Sequence, residues 1–414
     1  MFFTQKRLKL YLGALLALQV CTLLTGIPIV ARRYIDFRAF YTAGSMLRTG
    51  HAAQLYDYAA EQHFQSALVS PEPRALPFMP PPFTALPFAP LSLLSFWTAY
   101  FVFAAINCAL LFAAYSLLRP FLTALSARWK PAPALLILSF LPAAIALLMG
   151  QLSILLLLLF CAAFVCLRRN HNLAAGLILS LALIKFQVAL PVALLFLLWR
   201  QWRFIAGFLS GSALLTALSI YLIGPTAFVA YLHSLFSMTT SVTADRALQL
   251  HFAILPEQMP NLYGLLFTLT RAAAWPHILP HILILAASLA LFVWTALQRP
   301  SLPLALCTAM LVSYHLFFYD LTLLLLPLPL LADHLLRNPT PNYRLLITQI
   351  SLGALLVSPL LRFLIAGEAT CWLALPIIGL TLASTWWPRL DGPPQPAPLA
   401  APALHPALHL APAT

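Results

Sequence analysis

Runs of about 20 mostly apolar residues, the length that crosses a bilayer as one helix, recur from end to end of this 414-residue chain, with short basic groups between them. That repetition limits the fold more than any other feature. Only 8% of the residues are charged, 62% are hydrophobic, and the mean hydropathy is +0.91. A soluble domain carries about a quarter charged residues, so this chain could not cover its own surface in water. In lipid every backbone polar group must be satisfied within the protein, which leaves helices or a closed barrel. Runs of this length predict helices. The expected fold is all-α: a polytopic membrane protein of about 10–12 transmembrane helices.

The net charge of +13 does not indicate nucleic acid. Lys and Arg sit between the apolar runs, where the positive-inside rule places cytoplasmic loops, and form no basic face. This distribution places both termini in the cytoplasm. Residues 8–30, behind Lys6, Arg7 and Lys9, are longer than the apolar stretch of a signal peptide and lead to no small-residue cleavage site, so they are expected to stay as the first span. Six cysteines lie inside apolar runs with no C-x-x-C pair; packing is expected of them, not disulfides or metal.

Residues 31–85 break the pattern. They hold Asp36, Asp57, Glu61 and Glu72, four of the ten acidic residues. Phe37, Phe40, Tyr41, Gly44, Met46 and Leu47 share one face at helical spacing, and Gly50 would end that helix. Short amphipathic helices on the outer surface are expected, closed by Pro80, Pro81 and Pro82, which cannot continue a helix. A span over 84–118, bent near Pro87 and Pro90, should follow. Residues 132–149 and 152–167 form a pair around a turn at Gly150 and Gln151. Residues 173–198 have basic groups at both ends and Lys185 in the middle, which predicts two short helices or a re-entrant hairpin with Lys185 near its tip. Further spans are expected at 204–223, 277–297, 302–315, 321–336, 345–365 and 370–387, with a second outer loop at 224–260 and a short helix at 261–275. The chain thus divides into a transmembrane domain, 1–390, and a Pro/Ala-rich tail, 391–414, expected to be disordered.

A few polar residues stand out. Asp36 lies just past the first span among aromatics, placed to act on a substrate presented from lipid; the plainer alternative is an interfacial ion pair with Arg32, Arg33 or Arg38. Lys185 interrupts an apolar run, where a lysine costs about 2.5–3.5 kcal/mol. A phosphate ligand would offset that cost, and so would snorkelling at a hairpin tip. His315 and Asp320 flank an aromatic group at an outer helix end and could bind a polar substrate or cap the helix. Arg246 could hold phosphate or be a solvated charge. Gln151 belongs to a tight turn. His277 and His281 have helical spacing, but Pro280 lies between them and no acid is near. Nucleotide-binding and hydrolase motifs are absent.

In order and spacing, Asp36, Phe37, Tyr41, Ala43, Gly50, Leu55-Tyr56-Asp57, Pro80-Pro81-Pro82-Phe83, Gly150-Gln151, Ala175-Gly176-Leu177, Lys185 and Arg200-Gln201-Trp202-Arg203 resemble the polytopic glycosyltransferases of family 87, which include polyprenyl-phosphomannose-dependent mannosyltransferases. The resemblance covers roughly residues 30–335. It implies a GT-C-like fold in the plasma membrane and an extracytoplasmic active site. It implies inverting transfer of a hexose, with mannose the expected one, from a polyprenyl-phosphate sugar to a lipid or glycan acceptor. The lipid-linked donor is then a co-substrate, and no cofactor or metal is implied. Asp36 would be the general base. Lys185, His315, Arg246, Arg38, Tyr41 and Gln151 would bind substrate or the donor phosphate. At Ser313-Tyr314-His315 the sequence departs from the family, which tends to carry Ser-Pro and a Trp before the histidine. A transporter or lipid flippase is the alternative that the broken helix at Lys185 suits, and a non-catalytic subunit of an envelope-polysaccharide complex is a third.

Overall fold

The structure is a computed structural model that describes residues 5–33, 35–71, 74–241, 255–272, 278–337, 343–358 and 370–386. Among these residues it is helical throughout, without strands. The helices are α1 (Gln5–Ala31), α2 (Phe37–Arg48), α3 (Tyr58–Leu68), α4 (Phe88–Leu91), α5 (Phe96–Leu118), α6 (Thr123–Arg128), α7 (Ala132–Leu138), α8 (Leu141–Met149), α9 (Ser153–Arg168), α10 (Asn172–Ser180), α11 (Phe186–Leu198), α12 (Trp202–Ile223), α13 (Pro225–Ser241), α14 (Leu262–Ala272), α15 (Ile278–Ala296), α16 (Leu302–Val312), α17 (Pro327–Arg337), α18 (Tyr343–Leu356) and α19 (Ala374–Trp386). Among the described residues, five helices are long and apolar enough to cross a membrane, or up to seven if each of two bent pairs is one span, and four shorter apolar helices accompany them. The chain is an all-α polytopic membrane protein.

Specific contacts orient the helices between two ends. At one end Lys9 lies 5.5 Å from the Trp129 ring and Arg168 lies 5.3 Å from that of Phe121, so the start of α1 and the ends of α5 and α9 meet there. At the other end the Tyr100 hydroxyl donates to the Leu148 carbonyl at 2.8 Å, and Ser153 and Lys185 both reach Asp320. The first end collects basic residues; the second holds the acidic ones treated below.

Within this frame the stretch from α10 to α11 is a re-entrant pair. By length and composition, Asn172–Leu198 could cross in one pass. However, a short 3-10 segment, Leu181–Lys185, separates the two helices, and contacts place both outer termini at the basic end. There the Trp199 indole N–H donates to the Ala296 carbonyl at 3.1 Å, whereas the Gln187 amide reaches the His315 carbonyl at 3.4 Å at the opposite end. α10 rises parallel to α12 in close contact. A Cβ on Gly176 would fall 1.9 Å from the Phe204 carbonyl oxygen, and one on Gly207 would fall 2.1 Å from that of Leu173. Phe204 also stacks on Phe196 at 4.1 Å, which brings the descending arm back to the same level. Each arm of about 14 residues rises only about 20 Å at 1.5 Å per residue, so Lys185 at the tip stops inside the apolar layer.

Two expectations change. Residues 84–95 do not begin a span: Pro82–Ala85 is a 3-10 turn, α4 is a single turn, and α5 starts at Phe96 behind its N-cap Ser95. Prolines at 80–82, 87 and 90 remove too many N–H donors for a continuous helix. The expected outer loop 224–260 contains α13, entered by Pro225 at a position that suits proline. Residues 242–254 and the tail 391–414 lie outside the described residues.

Candidate active site

Asp36 and Asp57 each precede a helix, and the structure uses them differently. Asp57 caps α3, accepting from the backbone N–H groups of Ala59 at 2.9 Å and Ala60 at 3.3 Å. Asp36 makes no side-chain cap to α2. Its carboxylate accepts instead from the Gln151 amide at 2.6 Å. Aromatic packing forces this orientation: Phe37, fully buried, sits among Phe88, Phe96, Tyr100 and Phe103 and fixes the start of α2.

Gln151 reaches Asp36 through the turn between α8 and α9. Gly150 there has φ +65, and a Cβ on it would lie 2.6 Å from the Phe37 Cβ. A side chain at position 150 would push the turn away from α2, so glycine is needed both for its conformation and for the close approach.

Lys185, at the tip of the re-entrant pair, forms an ion pair with Asp320. Asp320 is fully buried and also accepts from the Ser153 hydroxyl at 2.6 Å and the Phe317 backbone N–H at 3.1 Å. The lysine ammonium lies 4.9 Å from the Tyr319 ring. The cost of the intramembrane lysine is therefore offset by a buried carboxylate rather than by snorkelling.

These groups face one cavity of about 150 Å³, several times the roughly 30 Å³ a water occupies. Asp36, Gln151, Lys185, His315 and Tyr319 line it, with residues 76–80 forming another wall. His315 brings a buried Nε2 that meets no hydrogen-bond partner, an unspent polar atom of the kind a bound ligand satisfies. Burial raises the Asp36 carboxyl above its ordinary value; the Gln151 amide and the Lys185 charge pull it back in part, and the Asp320 charge adds to the rise. The arrangement can take a proton at Asp36 and present positive charge at Lys185. Among the described residues, no cluster of three or more His, Cys, Asp or Glu could hold a metal ion.

Other singled-out residues lie elsewhere. Arg38 is buried and donates from Nε to the Gln65 side chain at 2.8 Å, and the Tyr41 hydroxyl donates to the Leu94 carbonyl at 2.8 Å; neither lines the cavity. Arg38 ties α2 to α3, and Tyr41 ties α2 to the segment before α5. Arg246 lies outside the described residues. In Asp320, sequence reasoning saw a capping group or a general polar contact and did not see it as the partner of Lys185. The two are 135 positions apart, so the signal available was that a buried lysine needs an acid.

Neither the curated proteins nor the solved structures searched gave a match. The profile of glycosyltransferase family 87 matches residues 78–327, which include Gln151, Lys185, His315 and Asp320 and begin after Asp36. With more than half of its length matched, and with a polar cavity set inside a helical membrane domain, the chain belongs to glycosyltransferase family 87.

Proposed function

We propose that this membrane glycosyltransferase moves a hexose, mannose by the resemblance, from a polyprenyl-phosphate sugar to a lipid or glycan acceptor, inverting the anomeric centre, with Asp36 as general base. The observation that carries the proposal is the Asp36 carboxylate, which caps no helix and takes one donor from Gln151, in one cavity with Lys185 and His315. In the reaction, Asp36 takes the proton of the acceptor hydroxyl as its oxygen attacks the anomeric carbon. The bond from that carbon to the phosphate oxygen breaks, and the lipid phosphate leaves with the electron pair, its charge met by Lys185. A raised pKa makes the ionised Asp36 a stronger acceptor for the hydroxyl proton. Retention would need a second, free carboxylate as nucleophile. Asp320 is engaged by three donors, which supports inversion in a single displacement.

The donor is a co-substrate that arrives already activated and diffuses in the bilayer, so no cofactor is required. Basic residues gather at the end remote from the cavity, which by the positive-inside rule supports an extracytoplasmic cavity and cytoplasmic termini; location in the plasma membrane rests on the resemblance. An in vitro assay with a panel of polyprenyl-phosphate sugars tests the proposal. Transfer from one of them is expected, and its loss in Asp36→Asn without loss of membrane insertion. Normal turnover by that variant would remove Asp36 from the mechanism, and no transfer from any member of the panel would overturn the proposal.

A further inference from the structure

Residues 75–79 form a non-helical strap that walls the cavity, and three side chains hold it at alternate positions. The Gln65 side chain takes both backbone groups of Leu76: its amide donates to the carbonyl at 2.6 Å, and its oxygen accepts the N–H at 3.0 Å. The Glu61 carboxyl accepts the Phe78 N–H at 2.8 Å, and the Tyr56 hydroxyl donates to the Pro80 carbonyl at 2.6 Å. Glu61 and Gln65 are one helical turn apart, a rise of about 6 Å. Leu76 and Phe78 are two residues apart in extended chain, about 6.6 Å. The strap thus runs along α3 as a strand runs along its neighbour, with side chains in place of the neighbour's backbone. Arg38 braces this clamp through Gln65.

An extended chain turns the backbone groups of alternate residues to opposite edges. With 76, 78 and 80 on the clamped edge, the Pro77 carbonyl and the Met79 N–H and carbonyl belong to the other. Among the described residues no hydrogen bond occupies those three groups, while Pro77 and Met79 both line the cavity beside Asp36 and Lys185. Phe78 lines it too, but its ring is buried against Phe40 and Tyr56 and its N–H is held by Glu61. Two acceptors and one donor in a fixed row suit a polyhydroxylated ring, which offers donors and acceptors at neighbouring carbons.

We propose that the free backbone edge at Pro77 and Met79 binds the hydroxyls of the transferred sugar, held rigid from behind by Tyr56, Glu61 and Gln65. This inference rests on the reading of the cavity as a sugar-transfer site. It assigns the choice among sugars to main-chain atoms, which no side-chain motif would reveal.

Met79→Pro removes the N–H. It fits the extended backbone, because position 79 already precedes a proline and is confined to that region. Met79→Leu keeps the N–H and serves as the control. With the full chain in lipid, polyprenyl-phosphate mannose and its monodeoxy analogues are the probes. Met79→Pro is expected to show a donor KM about tenfold above that of Met79→Leu, which loses the same side chain but keeps the N–H, as for the loss of one hydrogen bond of about 1.4 kcal/mol. One deoxy donor that is poor for the wild type should lose its handicap in Met79→Pro. Equal KM values and unchanged deoxy penalties in the two variants would overturn the inference while leaving sugar transfer intact. A wild type inactive with every donor would overturn both. Should Met79→Pro not fold, hydrogen exchange on the wild type decides: donor must slow the Met79 amide, and an unchanged rate overturns the inference.

Discussion

The two ends of the helical domain each hold a buried aspartate paired with a cation, and they use it differently. At the basic end Asp333 accepts from the Leu125 N–H and from Arg337 Nε, both at 2.8 Å, and Arg337 continues to Thr123 and the Phe121 carbonyl. Asp333 and Arg337 are one turn apart on α17, and their contacts to Leu125, Thr123 and Phe121 tie that helix to α6 and the turn before it. Beyond the Ser153 and Phe317 donors, Asp320 meets Lys185 across 135 residues, and the lysine lines a cavity that also holds Asp36, a carboxylate with a single hydrogen-bond donor. Equal chemistry gives a latch where every group is used up, although its partners lie 208 to 216 positions apart. It gives a site where the packing leaves capacity facing a space.

Breaking that distinction starts at Asp36. Asp36→Asn should reduce transfer about 10²–10⁴-fold, the usual contribution of a general base, with unchanged insertion; the kinetic assay and membrane fractionation check this. Next comes Lys185→Ala, which strands Asp320 and should cost about 3–5 kcal/mol of stability together with transfer. The double variant Lys185→Met, Asp320→Leu should recover thermal stability but not activity, a split that a purely structural ion pair would not show. Asp333→Ala should cost about 1–3 kcal/mol by orphaning the Leu125 N–H, with kcat per folded molecule unchanged. A kcat loss as deep as that of Lys185→Ala would erase the contrast between latch and site.

Two smaller effects depend on pH. Asp36 works ionised, so activity falls as pH drops through its pKa. Because burial raises that pKa, the acidic limb of kcat/KM should lie above the ordinary aspartate value of about 3.9. Gln151→Leu removes a hydrogen bond that favours the ionised form and should move the limb higher still; a limb shifted downward would remove Gln151 from this role. The smallest effect is at Glu61, whose carboxyl burial pushes up to about 8. A folded pKa above the unfolded one means that the folded state holds its proton more tightly. That contribution is complete below the unfolded value of 4.5 and is lost as pH rises to about 8. Glu61→Gln keeps an acceptor for Phe78 and cannot ionise, so it should raise Tm near pH 8 and not near pH 4.

Much of this was legible in the chain. Apolar run length gave the helical membrane class, and basic residues at both ends of 173–198 pointed to the returning pair. The abrupt change at 31–85 marked the module that carries Asp36. Less legible were the details set by proline and by distant contacts. Five prolines between 80 and 90 delay α5 to Phe96, and α13 occupies part of an expected loop.

Local rules decided what each segment could be, because helix formation in lipid depends on consecutive residues: hydropathy, caps and missing N–H groups. They could not decide whether Asp36 caps α2 as Asp57 caps α3, since both stand at the same kind of position. Tertiary structure decided it, through the buried Phe37 and the Gly150 turn that brings Gln151 within hydrogen-bonding distance. It likewise chose Asp320 for Lys185, and turned one edge of residues 76–80 to α3. Pairing across the membrane domain depends on which helices touch, and no interval along the chain encodes that.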